Sequence, residues 1–468
     1  MKDTLYARPY HSACLPSGQH CAGTIRVPSD KSLSHRALII ASMAWGRSSI
    51  DNLLESDDVF ATLNALRALG VRIEKDDAQN SASRWHVYGE GGYFMTPAEP
   101  LFMGNAGTAT RLLAGVVSSQ AIVVTFEGDN SLSQRPMERI SVPLSQSGAS
   151  FTLRDGRYLP MTVRGTTPAL ACQWASPISS AQVKSALLLA GMKAIGLTHI
   201  TEPSPSRDHT EHMLRHFGAS VLSTTDKDKG IPMVSMASQQ RLEARALDIP
   251  ADPSSAAFLA AAHLIVHRHT PNAPPMSLRD VLLNPHRIGF FRAIHRMGAH
   301  VTYHDTRTTC GETIGTLHIT SRPLHAIETS PDDTASMIDE YPILAILAAY
   351  AQGISRFRGL NELRMKESDR LYALYQGLTQ CGTQASIEGD DLIVHGQHTT
   401  DNKDKTENTP ILLSSQGDHR IAMAFLIYAL GGHTQRAIGI TNASTINSSF
   451  PHFQDTMAQL SVPITPYP

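Results

Sequence analysis

The chain repeats one local pattern six times. An amphipathic helical stretch ends on a glycine and runs into an alternating strand: LRALGVRIE around Gly70, LSQSGASFTL around Gly148, MLRHFGASV around Gly218, IHRMGAHVTY around Gly298 and LTQCGTQASI around Gly382. A sixth copy, MAQLSVPIT, has Ser461 where glycine would stand. Consecutive positions lie 70 to 84 residues apart. Glycine after a helix is the usual left-handed C-terminal cap. Near-constant spacing of six such caps points to six similar structural units.

A second series runs in phase with the first. A short polar cluster opens an apolar helix in SDKSLSHRALIIASM, NAGTATRLLAGVV, SSAQVKSALLLAG, DPSSAAFLAAAHLI, IDEYPILAILAAYAQG and GDHRIAMAFLIYALGG. The markers Ser32, Thr108, Ser180, Ser254, Asp339 and Asp418 are 72 to 85 residues apart. Ser, Asp and Asn are good N-caps, and helices apolar on all sides are buried ones. Each unit therefore holds one buried helix with a polar start, one more exposed helix, and strands between. That is an α/β or α+β architecture of repeated units, not a single doubly wound sheet. The polar or Pro-rich stretches at 75–84, 267–277 and 399–410 read as insertions between elements. The segment around 303–325 reads as a loop with no role assigned to it.

Bulk properties narrow the function classes. At 468 residues and 41% hydrophobic content, large cores are affordable. A formal net charge of −2 argues against a nucleic-acid binder or a membrane-surface protein. Any anionic ligand must then be held by local basic clusters. Cys14, Cys21, Cys172, Cys310 and Cys381 are scattered with no CxxC pair, which excludes a disulfide framework and a zinc site. The histidines of HRHT in the 267–277 insertion are read as loop residues, not ligands. The first 20 residues lack the apolar core of a signal peptide, and no run of about 18 apolar residues exists, so the expected location is the cytoplasm.

The polar helix starts form a suspicious set. Helix N-termini present free N–H groups and partial positive charge. Several of them facing one place, with Lys31, Arg36, Arg111, Lys184 and Arg420 nearby, would make an anion site. For any one cluster, a plain cap explains the residues as well. Within KESDRL, Lys366, Glu367 and Arg370 would share a face if helical. Asp339 and Glu340 immediately precede a strongly apolar helix, where a carboxylate can be partly buried. No GxxxxGK[ST] loop, GxSxG elbow or HExxH motif is present.

The ordered motifs DKSLSHRALI, GNAGTATRLL, GDNSLSQRPMERI, SAQVKSALLLAG, SRDHTEHML, DPSSAAF, DEYPILA, ELRMKESDRL and DHRIAMAFLI resemble those of the 5-enolpyruvylshikimate-3-phosphate synthase family. The likeness runs from about Gly23 to about Phe453. SMIDEYPILA and SSAQVKSA look more like the bacterial class that includes glyphosate-tolerant members. The resemblance implies two domains, each of three ββαβαβ units with buried parallel helices, an inside-out α/β barrel. Domain one would be residues 1–27 plus 246–468 and domain two 28–245, with the active site in the cleft between them.

The same resemblance implies transfer of the enolpyruvyl group of phosphoenolpyruvate to the 5-hydroxyl of shikimate 3-phosphate, without metal or organic cofactor. Lys31 would touch both substrates. Ser32, Arg36, Ser180, Ala181, Arg207 and Lys366 would hold shikimate 3-phosphate, with Gln182 between the two ligands. Asn105, Gly107, Arg135, Arg370 and Arg420 would grip phosphoenolpyruvate. Asp339 would take the hydroxyl proton and Glu367 would protonate the methylene carbon. These roles fit the residue types: arginine forks suit phosphate and carboxylate, and addition to an enol needs a base and an acid. Glyphosate is the implied inhibitor and a monomer the implied state.

Three positions depart from the family pattern. Ser448 stands where the enterobacterial and plant class of the family has a lysine, Ser461 replaces the sixth glycine, and Met365 replaces a frequent valine. UDP-N-acetylglucosamine enolpyruvyl transferase, of the same fold, is the alternative, but no cysteine here lies in a motif matching its mobile loop. A catalytically dead anion-binding scaffold would be expected to lose Lys31, Asp339 or Glu367, and all three are present.

Overall fold

Six helices are too apolar to leave in water, and the chain buries them inside sheets. The computed structural model describes residues 3–10, 21–76, 83–226, 230–270, 272–399, 409–462 and 464–466. The helices are Lys31–Met43, Gly107–Ser118, Ala181–Gly191, Pro253–Val266, Tyr341–Tyr350 and His419–Leu430. Tyr341–Tyr350 and His419–Leu430 are buried at every residue. Each buried Leu, Ile or Phe stabilises by about 1.5–3 kcal/mol. Less buried helices alternate with them: Asp57–Ala68, Glu138–Leu144, His209–His216, Gly289–Arg296, Arg370–Gln380 and Phe453–Gln459. Four of the buried helices begin at a side-chain cap, on Asp30, Ser180, Asp252 and Asp418. Gly107–Ser118 and Tyr341–Tyr350 begin without one.

The strands form six four-stranded sheets of one design. Leu101–Phe102 runs parallel to Val123–Glu127, with helix Gly107–Ser118 as the crossover. Val123–Glu127 pairs antiparallel with Tyr158–Arg164, which takes Ser150–Arg154 on its far side. A parallel pair needs a crossover and an antiparallel pair only a turn. In four of the six sheets a buried helix makes that crossover directly. One face of each sheet is apolar: Leu159, Met161 and Val163 are buried while Pro160 and Arg164 are exposed. Three sheets borrow a strand from far along the chain. Ala246–Asp248 lies beside Trp45–Asp51, Gly23–Ile25 beside Met276–Leu282, and Thr4–Ala7 beside Ile438–Thr441.

The chain divides into two units. The first comprises residues 1–28, 251–307 and 314–468, and the second 29–250 and 308–313. Each holds three sheets and three buried helices, so the expected two-part repeat architecture is observed. The crossings lie later than the expected 27/28 and 245/246. Ala246–Asp248 must first complete the sheet of Trp45–Asp51 by parallel pairing before the chain can leave the second unit. Residues 308–313 also group with the second unit, not with domain one as expected. The 303–325 segment, read as a loop, is instead mostly strand, His300–Thr309 and Glu312–Thr320. Of the expected insertions, residues 77–82, 271 and 400–408 lie outside the described residues, as does Cys14. Cys21, Cys172, Cys310 and Cys381 are buried free thiols. No helix among the described residues is long and apolar enough to cross a membrane.

The glycine caps behave as their position requires. Gly70, Gly148, Gly218, Gly298 and Gly382 all have φ between 85° and 110°. At Gly218 the N–H bonds to Arg215 O and the next N–H, of Ala219, reaches back to Leu214 O. Ser461 keeps the same pair of bonds, from its own N–H to Ala458 O and from Val462 N–H to Met457 O, at φ 58°. A side chain in the left-handed region costs about 1–2 kcal/mol. Ser461→Gly should therefore raise the thermal midpoint, by about 0.5–1 kcal/mol of stability. Gly218→Ala should lower it although its added Cβ meets nothing within 4 Å. Equal midpoints for both variants and the parent would contradict this.

Two core histidines make stability pH-dependent. His35 is bonded through Nδ1 to Thr62 Oγ1 at 2.7 Å. Burial first, and then Lys31 and Arg36, push it down to about 3. His263 bonds Cys21 O at 2.7 Å, and burial pushes it down to about 4. In the unfolded chain both bind protons near pH 6.5. Their contribution is thus complete above about pH 6.5 and is lost as pH falls, at up to about 1.4 kcal/mol per pH unit for each. Urea unfolding followed from pH 7 to pH 5 should show this slope, and His35→Asn should reduce it. An unchanged slope in the variant would rule out His35 as a source.

Candidate active site

In the second unit the helix starts meet through side chains. Gln182, in the first turn of Ala181–Gly191, donates to Thr108 Oγ1 at 2.9 Å and accepts from Arg111 Nη1 at 2.7 Å. Both partners sit in the first turns of Gly107–Ser118. Arg36, one turn into Lys31–Met43, donates from Nη2 to Ser185 Oγ at 3.0 Å, and from Nε to Thr210 Oγ1 at 2.7 Å. Three helix N-termini thus lie side by side, each with its positive end on the same side.

Two groups of expected site residues form around these starts. In one, Lys31 Nζ lies 2.9 Å from Asp58 Oδ2, and Arg36 Nη1 donates to Ser32 O at 3.0 Å. Arg207 lies close enough to depress the Arg36 guanidinium. Burial first, and Arg207 with it, push Arg36 down to about 10, while Glu211, Asp30 and Glu312 hold it up. Ser180 caps its helix and donates its N–H to Glu202 Oε1 at 2.8 Å. In the other group, Arg135 Nη2 bonds both Asn105 Oδ1 and, at 3.1 Å, Ser131 Oγ. Asn105 Nδ2 is fixed on Asp129 at 2.9 Å. A Cβ on Gly107 would stand 3.2 Å from Arg135 Nη1, 3.2 Å from Leu132 Cδ1 and 3.3 Å from Arg111 Nη1. Ser180, Ala181 and Gln182 are consecutive, so one helix start serves both groups.

The first unit repeats the device with carboxylates. Arg370 is 1% exposed and faces three of them. Its Nε meets Asp418 Oδ2 at 2.7 Å, Nη1 meets Asp339 Oδ1 at 3.1 Å, and Nη2 meets Glu367 Oε2 at 2.6 Å. Burial works against its charge, but Asp418, Glu367 and Asp339 outweigh burial and raise its pKa. Lys366 Nζ stands 3.6 Å from Asp339 Oδ1. Arg420 Nη1 donates to Asp339 O at 3.1 Å and lies 3.6 Å from Glu340 Oε1. Glu340 also accepts from Ser254 Oγ in the first turn of Pro253–Val266. Here too three helix starts meet.

Several features differ from the sequence reading. KESDRL is not one helical face: Lys366 is extended and the helix begins only at Arg370, capped by Asp369. Lys366 and Glu367 both still reach the cluster, Glu367 because Arg370 points back to it and Lys366 through Asp339. Lys184 does not add free positive charge, since Glu202 and Glu211 each bind it at 3.0 Å. Glu340, not Asp339, occupies the helix cap position, and it makes no side-chain cap bond. Ser448 Oγ lies 3.3 Å from His419 Nδ1. The reading also missed Asp58, Asp418 as the anchor of Arg370, and the buried pair His209–Glu312. The last joins residues 103 apart, which no local spacing could reveal. With Asp208, these two are the one group among the described residues that could hold a cation, though His209 and Glu312 already bond each other at 2.6 Å.

The sequence comparisons agree with one another. The profile described as EPSP synthase (3-phosphoshikimate 1-carboxyvinyltransferase) matches residues 16–457. The 3-phosphoshikimate 1-carboxyvinyltransferase of Rhodospirillum rubrum is 44% identical over 446 residues, covering 95% of this chain and 96% of that protein. The one from Gluconobacter oxydans is 41% identical over 464 residues, covering 98% and 99%. An EPSP synthase structure from Acinetobacter baumannii superposes with a TM-score of 0.80 at 34% identity, covering 99% of each chain. With the profile spanning nearly the whole length and relatives above 40% identity, the chain belongs to the EPSP synthase family, the 3-phosphoshikimate 1-carboxyvinyltransferases.

Proposed function

We propose that this chain transfers the enolpyruvyl group of phosphoenolpyruvate to the 5-hydroxyl of shikimate 3-phosphate, in the shikimate route to chorismate and the aromatic amino acids. It acts as a cytoplasmic monomer and needs no metal or organic cofactor. The 5-oxygen adds to C2 of phosphoenolpyruvate as its proton goes to Asp339, and Glu367 protonates the methylene carbon. The resulting tetrahedral intermediate loses inorganic phosphate, and a proton leaves the new methyl group to restore the enol ether. Arg135, Arg370, Arg420 and Lys31 surround the developing negative charge with fixed donors, which favours the transition state over the ground state. Ser32, Arg36, Ser180, Ala181, Arg207 and Lys366 hold the acceptor, with Gln182 between the ligands. Asn105 and Gly107 complete the donor side.

The observation that carries this reading is the sharing of Arg370. One buried guanidinium bonds both Asp339 and Glu367, so the base and the acid are held at a fixed separation without conformational freedom. Carboxylates fixed in this way can serve two different substrate atoms as base and acid. Phosphate release from phosphoenolpyruvate should depend on shikimate 3-phosphate and be absent with UDP-N-acetylglucosamine. The reverse pattern would overturn the reading. Asp339→Ala and Glu367→Ala should each lower kcat by about 10²–10⁴-fold with much smaller changes in KM. Near-normal kcat in both would remove the acid–base assignment.

SMIDEYPILA and SSAQVKSA support placement with the bacterial class that includes glyphosate-tolerant members, whereas Gly107 supports sensitivity to glyphosate. A methyl group here would press on Arg135, Leu132 and Arg111 at 3.2–3.3 Å, tighter than ordinary contact. Gly107→Ala should therefore raise the glyphosate inhibition constant more than the KM for phosphoenolpyruvate. An inhibition curve that does not move would refute this.

A further inference from the structure

The hairpin of His300–Thr309 and Glu312–Thr320 ends in a feature the mechanism does not use. Its two turn residues, Cys310 and Gly311, have φ of 51° and 79°, the signs of a tight two-residue turn. Although its strands belong to a sheet of the first unit, residues 308–313 group with the second. The tip is fastened there at several points. Thr309 Oγ1 and Cys310 Sγ both donate to Asp248 O, at 3.2 and 3.4 Å. Gly311 lies so close to the helix His209–His216 that an added Cβ would be 2.8 Å from His212 O. Glu312, 2% exposed, accepts a hydrogen bond of 2.6 Å from Nδ1 of His209.

The helix turn that receives this bond is densely used. His209, Thr210 and Glu211 are all buried, and each serves a different element. Thr210 Oγ1 accepts from Arg36 Nε at 2.7 Å and bonds Ser185 Oγ at 2.6 Å. Glu211 binds Lys184 at 3.0 Å, and Arg207 lies two residues before His209. A rotation of this turn would move Arg207 and the partner of Arg36 together. A buried carboxylate that orients an imidazole sets the position of what that imidazole's backbone carries.

We propose that Glu312 is a positioning residue for the acceptor's phosphate: through His209 it fixes the helix turn that sets where Arg36 and Arg207 stand. This rests on the reading that those two arginines hold shikimate 3-phosphate. Because the strand carrying Glu312 continues into a sheet of the first unit, the phosphate grip depends on a segment outside residues 29–250.

The test compares KM values for the two substrates, with binding of shikimate 3-phosphate alone and thermal midpoints measured alongside. Glu312→Ala removes the acceptor and should raise KM and the dissociation constant for shikimate 3-phosphate by about tenfold or more, leaving KM for phosphoenolpyruvate within about twofold. Glu312→Gln keeps an oxygen that accepts the same N–H and should stay near the parent values. Gly311→Ala, which displaces the tip but keeps the carboxylate, should raise KM for shikimate 3-phosphate selectively, and it serves if the Glu312→Ala chain does not fold. Equal changes in both KM values, or a Glu312→Gln chain as defective as Glu312→Ala, would overturn the proposal. A parent chain without turnover on shikimate 3-phosphate and phosphoenolpyruvate would instead sink the functional reading itself.

Discussion

Burial of six apolar helices is the constraint from which the rest follows. A helix such as Tyr341–Tyr350, with no polar face, must be covered on every side. The sheets provide that cover, one apolar face inward, and leave only the helix ends for chemistry. Packing is close enough at the C-terminal ends to demand glycine in the covering strands or just beyond them. A Cβ on Gly165 would stand 2.1 Å from Val117 O, and Gly89 and Gly396 meet the ends of Lys31–Met43 and Tyr341–Tyr350 in the same way. At the other ends the N-termini carry the polar residues. The division between packing and function therefore runs along each helix axis.

Charge is admitted to these interiors only in compensated sets. Arg370 is surrounded by Asp339, Glu367 and Asp418, and Lys184 by Glu202 and Glu211. Removing one partner from such a set leaves a buried charge uncompensated, which costs far more than a surface ion pair is worth. The same arrangement gives the site its rigidity. Asp339 is held by Arg370 and has Lys366 beside it, so its carboxylate is positioned before any ligand arrives.

How much was legible in the sequence depended on the range of the interaction. The caps at Gly70 or Gly218, the buried helix starts and the candidate residues Lys31, Arg135, Asp339 and Arg370 were all visible in stretches of ten residues or so. Lys184 was misjudged because its partners Glu202 and Glu211 are brought to it by a strand and a second helix. The condition attached to KESDRL, that it be helical, fails because the side-chain cap at Asp369 starts the helix only at Arg370. The 303–325 segment hides its strands because burial along them does not alternate: residues 303–308 are all exposed and 314–317 all buried, so no period-two pattern marks them.

By itself the sequence determined the number of units, the helix that each must bury and the residue types able to grip two anions, because these depend on local periodicity, capping and side-chain chemistry. Tertiary structure alone decided which carboxylates share Arg370, where the chain passes from one unit to the other, and that Glu312 meets His209. Those depend on strands that pair across hundreds of residues, as Ala246–Asp248 does with Ser49–Asp51. No local pattern encodes such a partner, since the free energy that selects it comes from burying whole faces together.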